Sequence, residues 1–124
     1  MKNLMNRSAV LMLFFIAFVG FAAKAASSDK IIGMWNWTNS SADYPIYIEF
    51  NNDGDMLLHK MKQSGLDTDY YKWNVDGSTI YYTRPAADEK IVNKFQIVRN
   101  DGTTMILHDS HDNSDLWLEK IKEY

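Results

Sequence analysis

The feature that most constrains the fold is a two-residue hydrophobic alternation, interrupted three times by Asp-Gly. The three pairs are Asp53-Gly54, Asp76-Gly77 and Asp101-Gly102. Asp-Gly is favoured in tight hairpin turns because both residues tolerate positive φ angles. The flanking segments are rich in β-branched and aromatic residues, which are enriched in strands. The pattern therefore predicts antiparallel β-strands joined by short hairpins.

Alternation also assigns the faces of these strands. Ile46, Ile48 and Phe50 share one face, while Tyr47 and Glu49 take the other. A period of two is typical of a strand with one face on a core and one in water. The same reasoning along the chain predicts eight strands, approximately Ile32–Thr38, Ile46–Asn51, Met56–Met61, Tyr70–Val75, Thr79–Arg84, Val92–Arg99, Thr103–His108 and Leu116–Ile121.

Eight consecutive strands with short connections predict an all-β antiparallel meander. Such a sheet has exposed edges unless it curls and closes. We therefore expect an eight-stranded up-and-down barrel, or a flattened barrel or two-layer sandwich built from the same strands. Gln63–Asp69 is expected to be a loop between the third and fourth strands, with room for a turn of helix.

The N-terminal residues predict export from a bacterial cell. Lys2 and Arg7 form a basic segment, an uncharged and almost wholly apolar run follows, and Ala23-Lys24-Ala25 satisfies the small-x-small cleavage rule. Residues 1–25 are therefore expected to be a signal-peptide helix, and residues 26–124 a single domain. The apolar run is shorter than the roughly 20 residues that a membrane span needs. The expected location is periplasmic or secreted, with no stable membrane span after cleavage; an uncleaved anchor is the alternative.

Charge and cysteine content exclude several classes of function. Removal of Lys2, Arg7 and Lys24 would leave 10 basic against 16 acidic residues, a net charge of −6. This argues against a nucleic-acid partner, which would require a concentrated basic face, and against binding to an anionic membrane. The chain has no cysteine, which excludes cysteine nucleophiles, iron–sulfur clusters and Cys-ligated zinc. We expect no cofactor.

Three segments together resemble a known family. Gly33-Met34-Trp35 is similar to the Gly-x-Trp that opens lipocalin-like barrels, and aromatic strands with Asp-Gly hairpins follow at Tyr47–Gly54 and Tyr71–Ile80. In this order they resemble the small exported bacterial lipocalin-like (calycin-type) domains. In that family the first tryptophan commonly packs beneath a basic residue near the last strand. Here Lys120 or Lys122 would take that place, because no arginine lies there.

The resemblance and the strand faces suggest an interior binding site. Tyr and Trp combine an apolar ring with a polar group and suit a wet cavity or an interface. The alternative is that the same aromatic rings simply fill a solid core, since about 99 residues leave little room for a cavity. The expected ligand-binding residues of the barrel interior are Trp35, Tyr71, Trp73, Tyr82 and Phe95.

Motifs for metal binding and catalysis have little support. His108 and His111 lie with aspartates near the last hairpin and are weak candidates for a Zn²⁺ or Cu²⁺ site; a solvated polar loop is the default, and we expect no metal. Most aspartates fall at turns, where turn geometry alone explains them. The chain has neither a Gly-x-Ser-x-Gly elbow nor a His-Glu-x-x-His motif. We therefore expect no catalytic residues and no enzymatic activity.

These observations predict a binding protein. The preferred hypothesis is an exported barrel that holds an apolar or amphipathic small ligand. The alternative is an envelope protein–protein interaction or inhibitor module with a filled core, in which an exposed aromatic patch would contact the partner. A small hydrolase is the third class, and it would require polar groups converging in a cleft.

Overall fold

The computed structural model of the protein describes residues 29–85 and 91–122. Residues 29–31 are helical and lead directly into the first strand. The strands, in chain order, are β1 (Gly33–Trp37), β2 (Ile46–Phe50), β3 (Asp55–Lys62), β4 (Gly65–Asp76), β5 (Thr79–Thr83), β6 (Asn93–Asn100), β7 (Thr104–Asp109) and β8 (Ser114–Lys122).

The eight strands form one closed antiparallel barrel. Each strand pairs with the next along the chain, and β8 returns to pair with β1, where Trp35 lies opposite Lys120. Closure removes the exposed sheet edges that an open meander would leave. The predicted up-and-down barrel is confirmed, and the alternative of a two-layer sandwich is excluded.

The three Asp-Gly pairs lie at connections on one end of the barrel, which we call the lower end. They join β2 to β3, β4 to β5 and β6 to β7, as predicted. Gly77 has a φ of 63° and Gly54 a φ of 92°, angles that side chains with a Cβ rarely adopt. Because Asp76 pairs with Thr79, the second reversal consists of Gly77 and Ser78. The opposite, upper end carries the β1–β2, β3–β4, β5–β6 and β7–β8 connections.

The start of β4 differs from the sequence expectation. The predicted loop at Gln63–Asp69 is wrong, because β4 already begins at Gly65 and only residues 63–64 form the turn. Gly65, Asp67 and Asp69 gave little local indication of a strand here, because Gly and Asp are depleted in strands. Cross-strand ion pairs with β3 favour the extended pairing, as in Lys60–Asp69. The boundaries of the other seven strands differ from the prediction by two residues or fewer.

The core consists of the inward side chains of the strands together with Ile31. Apolar burial of this kind contributes about 25 cal/mol per Å². Within the described ranges every fully buried side chain is hydrophobic. The core residues are Ile31, Trp35, Ile46, Ile48, Phe50, Met56, Trp73, Val75, Ile80, Phe95, Met105, Leu107, Leu116 and Leu118.

The predicted signal peptide, residues 1–25, lies outside the described residues. Among residues 29–85 and 91–122, no helix has the length and apolar character needed to cross a membrane.

Candidate functional site

Trp35, a predicted ligand-binding residue, lies at the base of the core. Its side chain is completely buried. The indole Nε1–H donates to the Ile31 carbonyl at 2.8 Å, and Lys120 Nζ lies 4.9 Å from the ring centroid. The predicted basic residue above this tryptophan is therefore Lys120. The indole lies in the barrel interior beside Ile31, and its polar group already has a protein partner.

Trp73 is also placed in the lower half. It is 9% exposed, and its Nε1–H donates to the Asn51 carbonyl at 3.0 Å. Its ring meets Phe50 edge to face, with centroids 5.1 Å apart, an arrangement that aromatic pairs favour. Like Trp35, it holds neighbouring parts of the fold together.

The other three predicted residues form a connected group of rings, which we call the aromatic column; one of them, Tyr82, lies opposite Trp73 across the β4–β5 pair. Tyr71 of β4, Tyr82 of β5 and Phe95 of β6 all face inward. The rings of Tyr71 and Tyr82 are perpendicular with centroids 5.3 Å apart. The rings of Tyr82 and Phe95 are stacked at 4.7 Å. Phe95 is buried, whereas both tyrosines are partly exposed, so the column leads from the core towards the upper end.

Arg84 follows β5 and covers the upper end of the aromatic column. Its Nη2 donates to the Tyr71 hydroxyl at 2.9 Å, and the guanidinium lies 5.0 Å from the Tyr71 ring centroid. The hydrogen bond to the Tyr71 hydroxyl raises the pKa of Arg84. Arg84 therefore carries a permanent positive charge directly above the aromatic rings.

Beside Arg84, the β3–β4 hairpin directs charged side chains towards the barrel axis. Antiparallel partners share a face, and Lys60 lies opposite both the buried Ile46 and Asp67. We call the members of this group the charged cluster; they are Lys60, Lys62, Asp67, Asp69 and Arg84.

Ion pairs connect the members of the charged cluster. Lys60 Nζ lies 2.9 Å from Asp69 Oδ2 and 3.4 Å from Asp67 Oδ2, and Lys62 Nζ lies 3.0 Å from Asp67 Oδ2. The hydrogen bond to Asp69 raises the pKa of Lys60, and the one from Lys62 lowers the pKa of Asp67. The upper end of the interior is therefore rich in ion-paired side chains, whereas the fully buried side chains of the core are hydrophobic.

The opposite wall of the upper end is acidic. Met105, Leu107 and Asp109 alternate along β7 and share its inward face. The Asp109 carboxylate accepts a hydrogen bond from the His111 backbone N–H at 2.9 Å. Burial raises the pKa of Tyr82, and the negative charges of Asp109 and Asp112 raise it further. Tyr82 therefore stays protonated at neutral pH, and its hydroxyl is a potential donor between the two walls.

The weak metal candidates are in different settings. His108 faces outward on β7, where its Nδ1 lies 2.7 Å from Asp115 Oδ1 of β8. His111 is in the β7–β8 connection. Among residues 29–85 and 91–122, no three His, Asp or Glu side chains are grouped so that they could hold a metal ion.

The charged cluster is the part of the site that sequence reasoning missed. Continuing the alternation of β4 upward from Trp73 and Tyr71 assigns Asp69 and Asp67 to the inner face. The signal was therefore present. It was obscured because residues 63–69 were interpreted as a loop, and because inward-facing charges are uncommon.

Comparison with solved structures supports the fold. A crystal structure of a lipocalin-like protein from Bacteroides uniformis matches with a TM-score of 0.61 and 13% sequence identity, over 74% of this chain and 99% of that chain. No protein-family model matches the chain, and no curated protein matches it. The structural likeness and the closed barrel together confirm the resemblance that the Gly-x-Trp strand and the two aromatic hairpins suggested: the described domain has a lipocalin-like fold.

Proposed function

We propose that the chain is an exported, non-enzymatic binding protein that holds an amphipathic small ligand in the upper half of its barrel. The observation that carries the proposal is the aromatic column of Tyr71, Tyr82 and Phe95. Its rings face inward, it reaches partial exposure at the upper end, and charged groups stand directly above it. Small-molecule sites combine apolar walls with a few convergent polar groups in this way.

Binding would proceed by burial. The apolar part of the ligand would lie against the aromatic rings, and each Å² of apolar surface removed from water would contribute about 25 cal/mol. The polar part would remain at the upper end among hydrogen-bonding side chains. The lower end supplies rigidity, because both buried indole N–H groups there donate to backbone carbonyls.

The proposal divides the five residues named from the sequence into two roles. Tyr71, Tyr82 and Phe95 would contact the ligand. Trp35 and Trp73 would support the floor of the site, since their side chains are buried and already hydrogen-bonded.

The first test is a Tyr82→Ala substitution. Purified residues 26–124 are titrated with a panel of amphiphiles by calorimetry. We expect Tyr82→Ala to weaken binding by about 10-fold to 100-fold, because a buried aromatic contact contributes about 1.5–3 kcal/mol. Tyr81→Ala is the matched control, since Tyr81 immediately precedes Tyr82 in β5 and therefore points to the other face of the strand. The proposal fails if no amphiphile binds, or if both variants weaken binding equally.

A protein–protein interaction module is the second candidate. Trp117, Ile121 and Val98 are 49%, 52% and 60% exposed, and Trp117 lies opposite Ile106 across the β7–β8 pair. Large apolar side chains on an outer face are typical of partner contacts where they form a contiguous patch. This candidate is favoured if the amphiphile titrations are silent, because such a module needs no interior site.

A further inference from the structure

We infer that the ligand of the upper-end site carries an anionic head group, and that Arg84 is the residue that recognises it. The inference rests on the proposed function and specifies the class of ligand: an amphiphile whose head is a carboxylate, sulfate or phosphate.

The first argument is the unequal pairing of the three cations in the charged cluster. Lys60 and Lys62 each have a carboxylate oxygen within 3.0 Å. Among residues 29–85 and 91–122, the carboxylate nearest to Arg84 is that of Asp69, 3.8 Å away, which is beyond hydrogen-bonding distance. Arg84 is thus the cation whose charge is least neutralised by its neighbours.

The second argument is the number of donors that Arg84 retains. A guanidinium has five N–H donors in a fixed planar fork. Within the part of the chain that the structure describes, one contact of Arg84 is at hydrogen-bonding distance, the one to the neutral Tyr71 hydroxyl. Its side chain is 48% exposed. The remaining donors match the two oxygens of a carboxylate, sulfate or phosphate, which arginine binds in a bidentate manner.

The third argument is position. The Arg84 guanidinium stacks on Tyr71, and Tyr71 continues through Tyr82 to the buried Phe95. A tail lying against this column would place its head at Arg84. The charges of the described residues are also unevenly distributed. The charged cluster on β3, β4 and Arg84 has three cations and two carboxylates, whereas the charges that act on Tyr82 from β7 and the β7–β8 connection are those of Asp109 and Asp112. An anion is therefore directed towards Arg84.

The experiment compares three amphiphiles that share one tail and differ in the charge of the head: decyl sulfate, decyl maltoside and decyltrimethylammonium. Each is titrated below its micelle-forming concentration into the wild-type domain and into Arg84→Gln, Arg84→Lys and Arg99→Gln. Arg99 is the matched control because it is an exposed arginine beside an aspartate, Asp101, at the other end of the barrel. Thermal unfolding checks that every variant is folded.

We expect decyl sulfate to bind most tightly to the wild type. Arg84→Gln should weaken the binding of decyl sulfate by about tenfold or more, which is the loss expected when a hydrogen bond to a charged group is removed. The affinity for decyl maltoside should be unchanged. Arg84→Lys should retain part of the preference for decyl sulfate over the other two amphiphiles, and Arg99→Gln should retain all of that preference. In ¹H–¹⁵N spectra, the arginine Nε–Hε signal that disappears in Arg84→Gln should shift on addition of decyl sulfate.

Two results overturn the inference and leave the proposed function standing: the three amphiphiles bind equally, or decyltrimethylammonium binds best. The inference is also overturned if Arg84→Gln lowers the affinity for decyl sulfate and for decyl maltoside equally, because Arg84 would then have a general structural role. If none of the three binds to the wild type, the proposed function itself fails.

Discussion

The lower and upper halves of the barrel interior satisfy their polar groups in different ways. In the lower half, the indole N–H groups of Trp35 and Trp73 donate to backbone carbonyls, and the side chains around them are apolar except for Lys120, which lies over the Trp35 ring. In the upper half, side-chain contacts predominate, such as Arg84 with Tyr71 and Lys60 with Asp69. Backbone partners are fixed by the fold, whereas exposed side-chain partners can exchange for a ligand. Under the proposed function, the lower half therefore supplies stability and the upper half supplies binding.

The largest expected effect comes from truncating one aromatic residue in each half. Trp35→Ala should lower the free energy of unfolding by about 3–5 kcal/mol, because it removes a fully buried indole. Tyr82→Ala should cost about 1–2 kcal/mol, since that ring is partly exposed. Urea unfolding followed by circular dichroism gives both values. If Trp35→Ala does not fold, Trp35→Phe keeps the comparison measurable. Equal costs for the two residues would contradict the division between halves.

A smaller effect is expected at the cation above Trp35. Lys120 Nζ lies 4.9 Å from the ring centroid, so Lys120→Met should lower the free energy of unfolding by about 0.5–2 kcal/mol. Lys94→Met is the control, because Lys94 is exposed on β6. Urea unfolding at low and high salt measures the change in the free energy of unfolding for both variants. Similar losses in the two variants would indicate a nonspecific charge effect rather than a contact with the indole.

The smallest effect is expected at a lower-end turn and depends on pH. Asp101 accepts hydrogen bonds from the backbone N–H groups of Thr104 and Thr103 and from the Thr103 hydroxyl, which lowers its pKa from 3.8 to about 2. Because the pKa of Asp101 is lower in the folded than in the unfolded chain, its carboxylate stabilises the fold at pH values above the unfolded-state pKa. This contribution is lost as the pH falls towards the folded-state pKa. The stability difference between wild type and Asp101→Asn should therefore shrink between about pH 4 and pH 2.

Denaturant midpoints at pH 5, 3.5 and 2 test this dependence. Asp43→Asn, at an exposed carboxylate of the β1–β2 connection, serves as the control. A difference between wild type and Asp101→Asn that stays constant over this range would show that the charge of Asp101 does not act through the turn.

Much of the fold was predictable from the sequence because the signals for it are local. Two-residue alternation specifies which side chains face inward, as in Ile46, Ile48 and Phe50, and Asp-Gly marks the reversals at the lower end. The strand at Gly65–Asp69 was missed because Gly and Asp are depleted in strands, and because the ion pairs that accompany its pairing with β3 are contacts between strands that local propensity does not reflect.

The candidate site was only partly predictable. Alternation gave the inward face of Tyr71, Tyr82 and Phe95, but it assigned Trp35 and Trp73 to the same group, because a strand face contains both core and site residues. Hydrogen-bond partners separate the two groups: both indole N–H groups donate to backbone carbonyls, whereas Tyr71 contacts the Arg84 side chain. The role proposed for Arg84 rests on distances to Tyr71 and Asp69 that only the folded chain defines.

The pairing of β1 with β8 has a consequence for how the chain folds. Every other strand pair joins neighbours along the chain, so seven hairpins can form from nearby residues, whereas this seam brings Trp35 to Lys120. Closing so long a loop has a high entropic cost that is recovered only once both strands are in place. Sealing the seam is thus expected to be the slow step in folding, and until it is complete two unpaired strand edges are open to association with other chains.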